Sequence, residues 1–186
     1  MHRAELINYL RSLHPLEARF VELLSEKVQQ HVFKKGRAVR EPLRSSSVWY
    51  VARGILKASY FDQQGNEHVT RFWHEDQIIL LEANAYQSIP SADYLIMLED
   101  TVLLSLQDQL IGYCLRNFPE AQALRSIIFH KDRDRAEVLG HLVKLPLAEA
   151  YQKFQAIYPI NRIPVKDIAS YLGVHPKRIS ALRGKK

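Results

Sequence analysis

The sequence is almost free of cysteine, and Cys114 is the only thiol among its 186 residues. One thiol excludes a disulfide framework and a thiolate metal site. The sequence also lacks an apolar run long enough to span a bilayer, and its first residues lack the charged-then-apolar layout of a signal peptide. These absences lead us to expect a cytoplasmic protein without a membrane partner.

Catalytic arrangements are missing as well. No Ser/His/Asp or Cys/His grouping stands out, so we expect neither an enzyme nor a bound cofactor. One further hypothesis is a cupin-type metalloenzyme, whose metal would be bound by His68 and His74 with Glu75 and Asp76. These residues lack the close histidine pair that such metal sites use, and charged residues at the end of a strand are usually just solvated.

The basic excess of the chain lies at one end. Residues 162–186 contain seven lysine and arginine residues and one acid, Asp167, which together account for the whole formal net charge of +6. A segment of this kind is typical of proteins that bind an anionic partner, such as nucleic acid or a membrane surface. The alternative is a disordered solubilising tail, but the strong apolar periodicity of the segment argues against a tail.

Hydropathy patterning predicts helices at both ends of the chain and strands between them. Apolar residues recur at helical spacing in residues 4–30, with a break at His14-Pro15. The period changes to two in residues 31–106, which include a hairpin signal around a turn at residues 62–66. Helical periodicity returns after Gln107. This order indicates an α+β chain built around a sandwich or a barrel-like roll.

The C-terminal residues carry a helix-turn-helix pattern. Ile168 and Leu172 lie four residues apart on a first helix, and the small Ala169 lets a second helix pass closely. Gly173 stands where a helix ends in a left-handed residue, and Pro176 suits the first turn of the next helix. The alternative is an ordinary helical hairpin, which would not need so many basic residues on its second helix.

The polar side chains left outside this pattern are the predicted DNA contacts, through phosphates and base edges. They are Lys166, His175, Lys177, Arg178, Ser180, Arg183 and Lys185. Lys177 and Arg178 lie in the first turns of the second helix, which is the part that reaches base edges in such motifs. Arg183 and Lys185 are expected to contact phosphates. His175 is expected to be the N-cap of that helix or a phosphate neighbour.

Four stretches of the chain occur in a familiar order. They are Val-Trp-Tyr-Val-Ala-Arg-Gly-Ile-Leu-Lys-Ala-Ser-Tyr at 48–60, Leu-Glu-Asp-Thr-Val-Leu at 98–103, Asn-Phe-Pro-Glu at 117–120, and the helix-turn-helix at 168–183. In this order they resemble the Crp/Fnr family of transcriptional regulators over nearly the whole chain. The resemblance implies a homodimer that binds double-stranded DNA, with RNA polymerase and an unknown small-molecule effector as further partners.

The resemblance also implies a division of the chain. Residues 1–117 would form a double-stranded antiparallel β-roll with flanking helices, residues 118–143 a dimerisation helix, and residues 144–186 the DNA-binding domain. If the long helix stands free of the roll, its apolar stripe should face a second copy of the chain. The residues predicted for this contact are Leu124, Ile128, Leu139 and Leu142.

Three features depart from the family pattern. In some members two stretches of the chain hold a cyclic nucleotide, one of them through an arginine. The corresponding residues here form the predicted effector pocket, Asp76, Gln77, Ser91 and Ala92, and Ser91 stands where those members have the arginine. We therefore expect that this pocket has lost cyclic-nucleotide binding. Cys114 alone excludes the iron–sulfur cluster of other members. The sequence ends just after the second helix, so the usual β-hairpin wing is expected to be absent.

The sequence thus predicts a DNA-binding transcription regulator whose β-roll is a sensor or an interaction platform. The rival hypothesis is a small-molecule-binding module with a vestigial DNA-binding head. The missing wing and the small set of base-reading side chains favour this rival.

Overall fold

In the computed structural model the chain is an α+β protein with two four-stranded antiparallel sheets and helices at both ends. The structure describes residues 2–39, 48–80 and 94–184. Within these ranges the predicted fold class, helices flanking an antiparallel β-roll, is confirmed. None of the described helices combines the length and the apolarity needed to cross a membrane.

Two short helices open the chain, α1 at His2–Leu13 and α2 at Ala18–Lys27. They are separated at His14-Pro15, as the sequence predicts, because a proline disfavours helix in the residue before it. Both helices are amphipathic and bury apolar side chains against the first sheet and the later helices. These side chains are Leu6 and Leu10 of α1 and Phe20 and Leu24 of α2.

The roll consists of two sheets, each with four described strands. The first sheet has the order β1-β8-β3-β6 and the second the order β2-β7-β4-β5, with antiparallel pairing throughout. The strands are β1 at Gln29–Phe33, β2 at Ala38–Val39, β3 at Val48–Arg53, β4 at Leu56–Phe61, β5 at Glu67–Trp73, β6 at Gln77–Ile79, β7 at Tyr94–Met97 and β8 at Thr101–Leu106. The predicted hairpin is the β4–β5 pair.

Large side chains fill the space between the two sheets. Trp49, Trp73 and Met97 lie there among branched aliphatic residues, and Trp73 and Met97 are each only 1% exposed. Because side chains alternate along a strand, the neighbours of these residues face outward. Both outer faces are covered too, one by the N-terminal helices and the other by the C-terminal ones.

Gly54 joins β3 to β4 at a point where a side chain does not fit. Its φ is +102°, and a Cβ atom there would lie 2.5 Å from Thr101 Oγ1 and 2.8 Å from Thr101 Cα. Glycine adopts this left-handed backbone without steric cost. The close approach of the turn to β8 therefore depends on this residue.

Five α-helices follow the roll. They are α3 at Asp108–Asn117, α4 at Pro119–Leu142, α5 at Leu147–Ile157, α6 at Val165–Tyr171 and α7 at Pro176–Arg183, with a 3₁₀ turn at Ile160–Arg162. The long helix predicted at 118–143 is α4, whose 24 residues span about 36 Å at 1.5 Å per residue. Its first half packs with the N-terminal helices, and its last turn packs with α5 to α7.

One hydrophobic cluster joins the roll to the C-terminal helices. Phe72 of β5 lies at its centre, with its ring centroid 5.9 Å from Phe154, 5.6 Å from Tyr158 and 5.3 Å from Tyr171. All four rings are buried. The division into three domains stays a prediction, but the helices after residue 143 share this core with the roll.

Candidate nucleic-acid interface

The helix-turn-helix prediction is confirmed by α6 and α7. Ala169 is fully buried where the two helices meet, and Gly173 ends α6 with a φ of +65°. The amide of Val174 donates to the carbonyl of Ala169 at 2.9 Å, which closes the corner. Ile179 of α7 is fully buried against α6, so one face of α7 is anchored and the opposite face is free.

The start of α7 is capped as the sequence predicts. His175 is the N-cap, and its Nδ1 accepts a hydrogen bond from the amide of Lys177 at 3.2 Å. Pro176 follows at the first helical position, where a missing N–H leaves no hydrogen bond unmade. The first turn of α7 is therefore held in a fixed position.

Four of the predicted DNA contacts are exposed side chains of this motif. Lys166 of α6 and Lys177, Arg178 and Ser180 of α7 are all exposed. Their side chains form no ion pair or hydrogen bond with any described residue. No acid lies within α7 itself. We call the exposed side of α7, together with Lys166 of α6, the α7 face. Lys185 lies outside the described residues.

Arg183 is placed differently from the rest of the predicted contacts. Its guanidinium donates to the carbonyl of Ile163 at 3.0 Å, to the carbonyl of Ile160, and to the Tyr151 hydroxyl at 3.4 Å. These bonds tie the end of α7 to the segment before α6. The phosphate contact predicted for Arg183 would compete with them.

A buried charge cluster, which the sequence did not predict, attaches the helix-turn-helix to the roll. Lys57 of β4 lies with its Nζ 2.7 Å from Asp167 Oδ1 and 2.6 Å from Glu67 Oε1. The side chains of Lys57 and Asp167 are each only 3% exposed. A buried charge is tolerated only when it is paired and hydrogen-bonded. Lys57 therefore needs α6 in place.

Glu67 completes this cluster from β5. Burial acts to raise the pKa of Glu67, but hydrogen bonds from Lys57 and Ser59 outweigh burial and lower it. The Ser59 hydroxyl donates to Glu67 Oε1 at 2.9 Å. The carboxylate thus stays charged beside Lys57 at neutral pH.

Ser170 adds a second attachment of α6 to the roll. Its hydroxyl accepts a hydrogen bond from the amide of Val69 at 2.9 Å and donates to the carbonyl of Glu67 at 3.0 Å. The pairing of β4 with β5 shifts register between Ala58 and Ser59, next to this contact. One side chain of α6 therefore satisfies two backbone groups of β5.

Arg162 forms a third attachment, just before α6. Its guanidinium donates to Glu75 at 2.6 and 2.9 Å and also to Glu99. Burial acts to raise the pKa of Glu75, but hydrogen bonds from Arg162 and from the Gly54 amide lower it to about 2. Together with Arg183, Arg162 is a C-terminal base that holds the structure together rather than facing outward.

The residues predicted for dimerisation are largely packed within their own chain, and their role in a dimer stays a prediction. Leu124 and Leu142 are only 3% and 2% exposed, and both lie within clusters of their own chain. Ile128 and Leu139 pack against the same two clusters. The prediction assumed that α4 stands free of the roll, whereas the helix lies against both ends of the molecule. The exposed positions of α4 are other residues, among them Gln122, Ser126, Phe129 and Gly140, and the exposed Val143 follows as its C-cap.

The described part of the predicted effector pocket is already engaged within the chain. Asp76 accepts a hydrogen bond from the Tyr50 hydroxyl at 2.5 Å and has a φ of +60°. The Gln77 side chain bonds to the amide and ring of His74 at 3.2 and 2.8 Å. Ser91 and Ala92 lie outside the described residues, so the pocket and its loss of nucleotide binding stay predictions.

The residues behind the metalloenzyme hypothesis do not come together in the described ranges. His68 lies 2.9 Å from Asp62, while His74 bonds to Gln77. No group of three or more His, Cys, Asp or Glu side chains that could hold a metal ion occurs among the residues described. Cys114 is buried, and burial raises the pKa of its thiol.

Solved structures similar to this chain include bacterial regulators. FixK2 from Bradyrhizobium japonicum has a TM-score of 0.70 at 15% identity, covering 85% of this chain and 83% of its own. A protein described as a Crp/Fnr-family transcriptional regulator from Eubacterium rectale has a TM-score of 0.69 at 17% identity, covering 94% and 85%. The chain has the Crp/Fnr fold.

A third similar structure is that of the c-di-GMP-responsive global regulator CLP from Xanthomonas campestris. Its TM-score is 0.64 at 12% identity, and the match covers 91% of each chain. The last two structures are described as regulators and not as enzymes. Neither a family model nor a curated protein sequence matches the chain.

The buried charge cluster generates a first prediction. Lys57→Met should lower the free energy of unfolding by about 3–5 kcal/mol, because it leaves Asp167 buried without its cation. The double variant Lys57→Met/Asp167→Leu should recover much of this loss, since no unpaired buried charge then remains on α6. Urea denaturation measures both effects.

The matched control for this prediction is Lys153→Met, which removes an exposed lysine 3.7 Å from Glu149. Its unfolding midpoint should hardly change, because exposed ion pairs contribute little. Equal midpoints for the Lys57 and Lys153 variants would show that the cluster does not hold α6 on the roll.

The pair of Arg162 and Glu75 generates a pH prediction. The folded-state pKa of Glu75 lies near 2, below its ordinary value of 4.5, so its contribution to stability is present above 4.5 and is lost as the pH falls toward 2. Glu75→Gln should therefore be less stable than the parent at neutral pH, and the gap should close in acid. Urea midpoints across this pH range measure the gap, and Glu149→Gln is the exposed control. A gap that stays constant with pH would contradict the assignment.

Proposed function

We propose that this protein is a homodimeric transcription regulator that binds double-stranded DNA through the α7 face. The observation that carries the proposal is the exposure of Lys177 and Arg178 at the capped start of α7, on a helix whose other face is buried against α6. A helix that is packed on one face and exposes basic side chains on the other fits into a major groove. The likeness of the whole chain to solved regulators supports the same function, and a cytoplasmic location suits it.

The affinity of the α7 face for DNA should come largely from phosphates. Lys166, Lys177 and Arg178 are the bases that the described part of this face offers, since Arg162 and Arg183 are engaged elsewhere. Each neutralised phosphate releases counterions, so affinity should fall steeply as salt rises. Three bases per protomer can neutralise only about three phosphates, and a second protomer would double this number.

Sequence reading should depend on few side chains. Arg178 and Lys177 can each donate to the O6 and N7 acceptors of a guanine, and Ser180 can bond to several base edges. Ala181 is exposed on the same face and offers only a methyl contact. We therefore infer a short recognition element, repeated by the second protomer about 34 Å away, one helical turn of DNA.

Dimerisation would use the exposed face of α4. Phe129 and Val143 are 48% and 51% exposed, which is unusual for large apolar side chains on a helix. Ser126 and Gly140 lie on the same face, and Gly140 has no heavy atom within 4 Å of a Cβ position. Small residues beside exposed apolar ones let two helices approach closely, so this face is suited to pairing α4 with its copy.

The β-roll would act as a sensor or an interaction platform that has lost cyclic-nucleotide binding, with RNA polymerase as a further partner. The alternative function is a small-molecule-binding module with a vestigial head. That alternative predicts that no duplex is bound above the non-specific level, so the experiment that tests the proposal also separates the two functions.

The DNA prediction concerns Lys177 and Arg178. A selection from random duplexes with the full chain should yield one repeated motif, and either Lys177→Ala or Arg178→Ala should weaken binding to it by about 1–3 kcal/mol and relax the preference at a base pair. Lys131→Ala, an exposed base on α4, should leave motif and affinity unchanged. If no motif emerges, or if both variants bind like the parent, α7 does not lie in the groove.

The dimer prediction uses two exposed valines. Val143→Glu should shift the chain from dimer to monomer in sedimentation equilibrium at micromolar concentration, because it places a charge in the proposed helix contact. Val32→Glu changes a residue that is 67% exposed on β1 and should leave the dimer intact. A parent protein that sediments as a monomer would refute the contact, and so would a Val143 variant that stays dimeric.

A further inference from the structure

An apolar cavity of about 310 Å³ lies between the first sheet and four helices. Its walls come from α1 and α2, from β3, β6 and β8, and from α3 and α4, and the exposed lining residues are Arg125 and Phe129 of α4. We propose that this cavity binds a small amphiphilic acid, whose aliphatic or aromatic body fills the cavity while its carboxylate meets Arg125. This inference goes beyond the proposed function and does not depend on DNA binding.

The walls of the cavity are deeply buried. Leu24 and Leu104 are each 1% exposed, Phe20 is 3% and Leu6 is 4%, yet all of them border open space. Side chains that border such a space lack dispersion contacts on that side, so an apolar ligand that fills it would gain them. An engineered apolar cavity of about 150 Å³ binds benzene, so this one has room for a body about twice that size.

The cavity is separate from the interior of the roll. Side chains alternate along β3 and β8, so Tyr50 and Leu104 face the cavity while Val51 and Leu103 face the tryptophan-filled interior. The Tyr50 hydroxyl is already bonded to Asp76, which leaves its ring as an apolar wall. Neither Asp76 nor Gln77 lines the cavity. The site is therefore distinct from the effector pocket predicted from the sequence.

Charge at the mouth selects the ligand class. Arg125 is the one charged side chain among the described residues that line the cavity, and it is exposed on α4. It forms no ion pair or hydrogen bond with any described residue. Arg133, on the same helix, lies 3.6 Å from Asp134 and 3.9 Å from Glu137. A free guanidinium beside an apolar cavity offers a planar fork that matches a carboxylate.

The mouth opens beside the exposed face of α4. Leu115 and Phe129 line both the cavity and a surface groove that Gln122 and Ser126 continue. A ligand seated there would contact the helix that also packs against α5 to α7. Occupancy of the cavity would therefore act on the position of α4.

The test compares three probes of one length on the full chain: decanoate, decanol and decylamine, each below its micelle concentration, by calorimetry and thermal unfolding. Decanoate should bind most tightly and raise the unfolding temperature most, decanol less, and the decylammonium ion least. Arg125→Gln should weaken decanoate binding by about two- to fivefold, as expected for an exposed ion pair, and should leave decanol unchanged. Arg133→Gln is the matched control and should leave all three probes unchanged.

The second part of the experiment fills the cavity by mutation. Ala121→Leu and Cys114→Leu each place a larger side chain in the wall and should abolish binding of decanoate and decanol while the thermal transition remains. Two variants are used so that a folding failure in one does not end the test. The proposal is overturned if no probe binds the parent, or if a folded filling variant binds like the parent. It is also overturned if decanoate binds only to the monomeric Val143→Glu variant, since a second copy would then be what fills the cavity.

Discussion

The buried ammonium group of Lys57 is the constraint around which the C-terminal half of the molecule is arranged. An amine 3% exposed on a β-strand requires anionic partners, and the nearest ones come from β5 and from α6. The strand cannot bury this side chain unless α6 lies on the roll. The aromatic cluster around Phe72, the Ser170 hydrogen bonds and the Arg162 pairs then form over the same surface. A polar contact thus sets the register of a mainly apolar interface.

This arrangement explains how α7 is presented. Ion pairs, hydroxyl hydrogen bonds and ring contacts attach α6 to the roll and hold it in a fixed position. On this support α7 packs with Ile179 buried and Lys177 exposed. The roll and the head are therefore one packed body in this structure. A regulator built this way would have to break or slide the Lys57 and Arg162 contacts before the head could reorient, so the charges that position the head also resist its movement.

Local signals in the sequence predicted most of the fold, and pairs distant in sequence account for what they missed. The α4 boundaries, the β4–β5 hairpin and the corner at Gly173 follow from periodicity and from single residues with special backbone preferences. The Lys57–Asp167 pair joins residues 110 apart, which no local window detects. One signal was present, because Asp167 is the only acid in a basic segment. The packing of Leu124 and Leu142 within their own chain was not predicted, because an apolar stripe does not show which neighbour covers it.

The sequence separation of the Lys57 contact also has a consequence for biosynthesis. A ribosome adds about 5–20 residues per second, so the 110 residues between Lys57 and Asp167 take roughly 5–20 s to emerge. Once β8 completes the roll, and until α6 is available, Lys57 has Glu67 but lacks Asp167, and the ring of Phe72 lacks the aromatic side chains of α5 and α6 that cover it. Transiently exposed apolar surface of this kind is prone to aggregation, and a chain truncated before residue 165 would keep it exposed permanently.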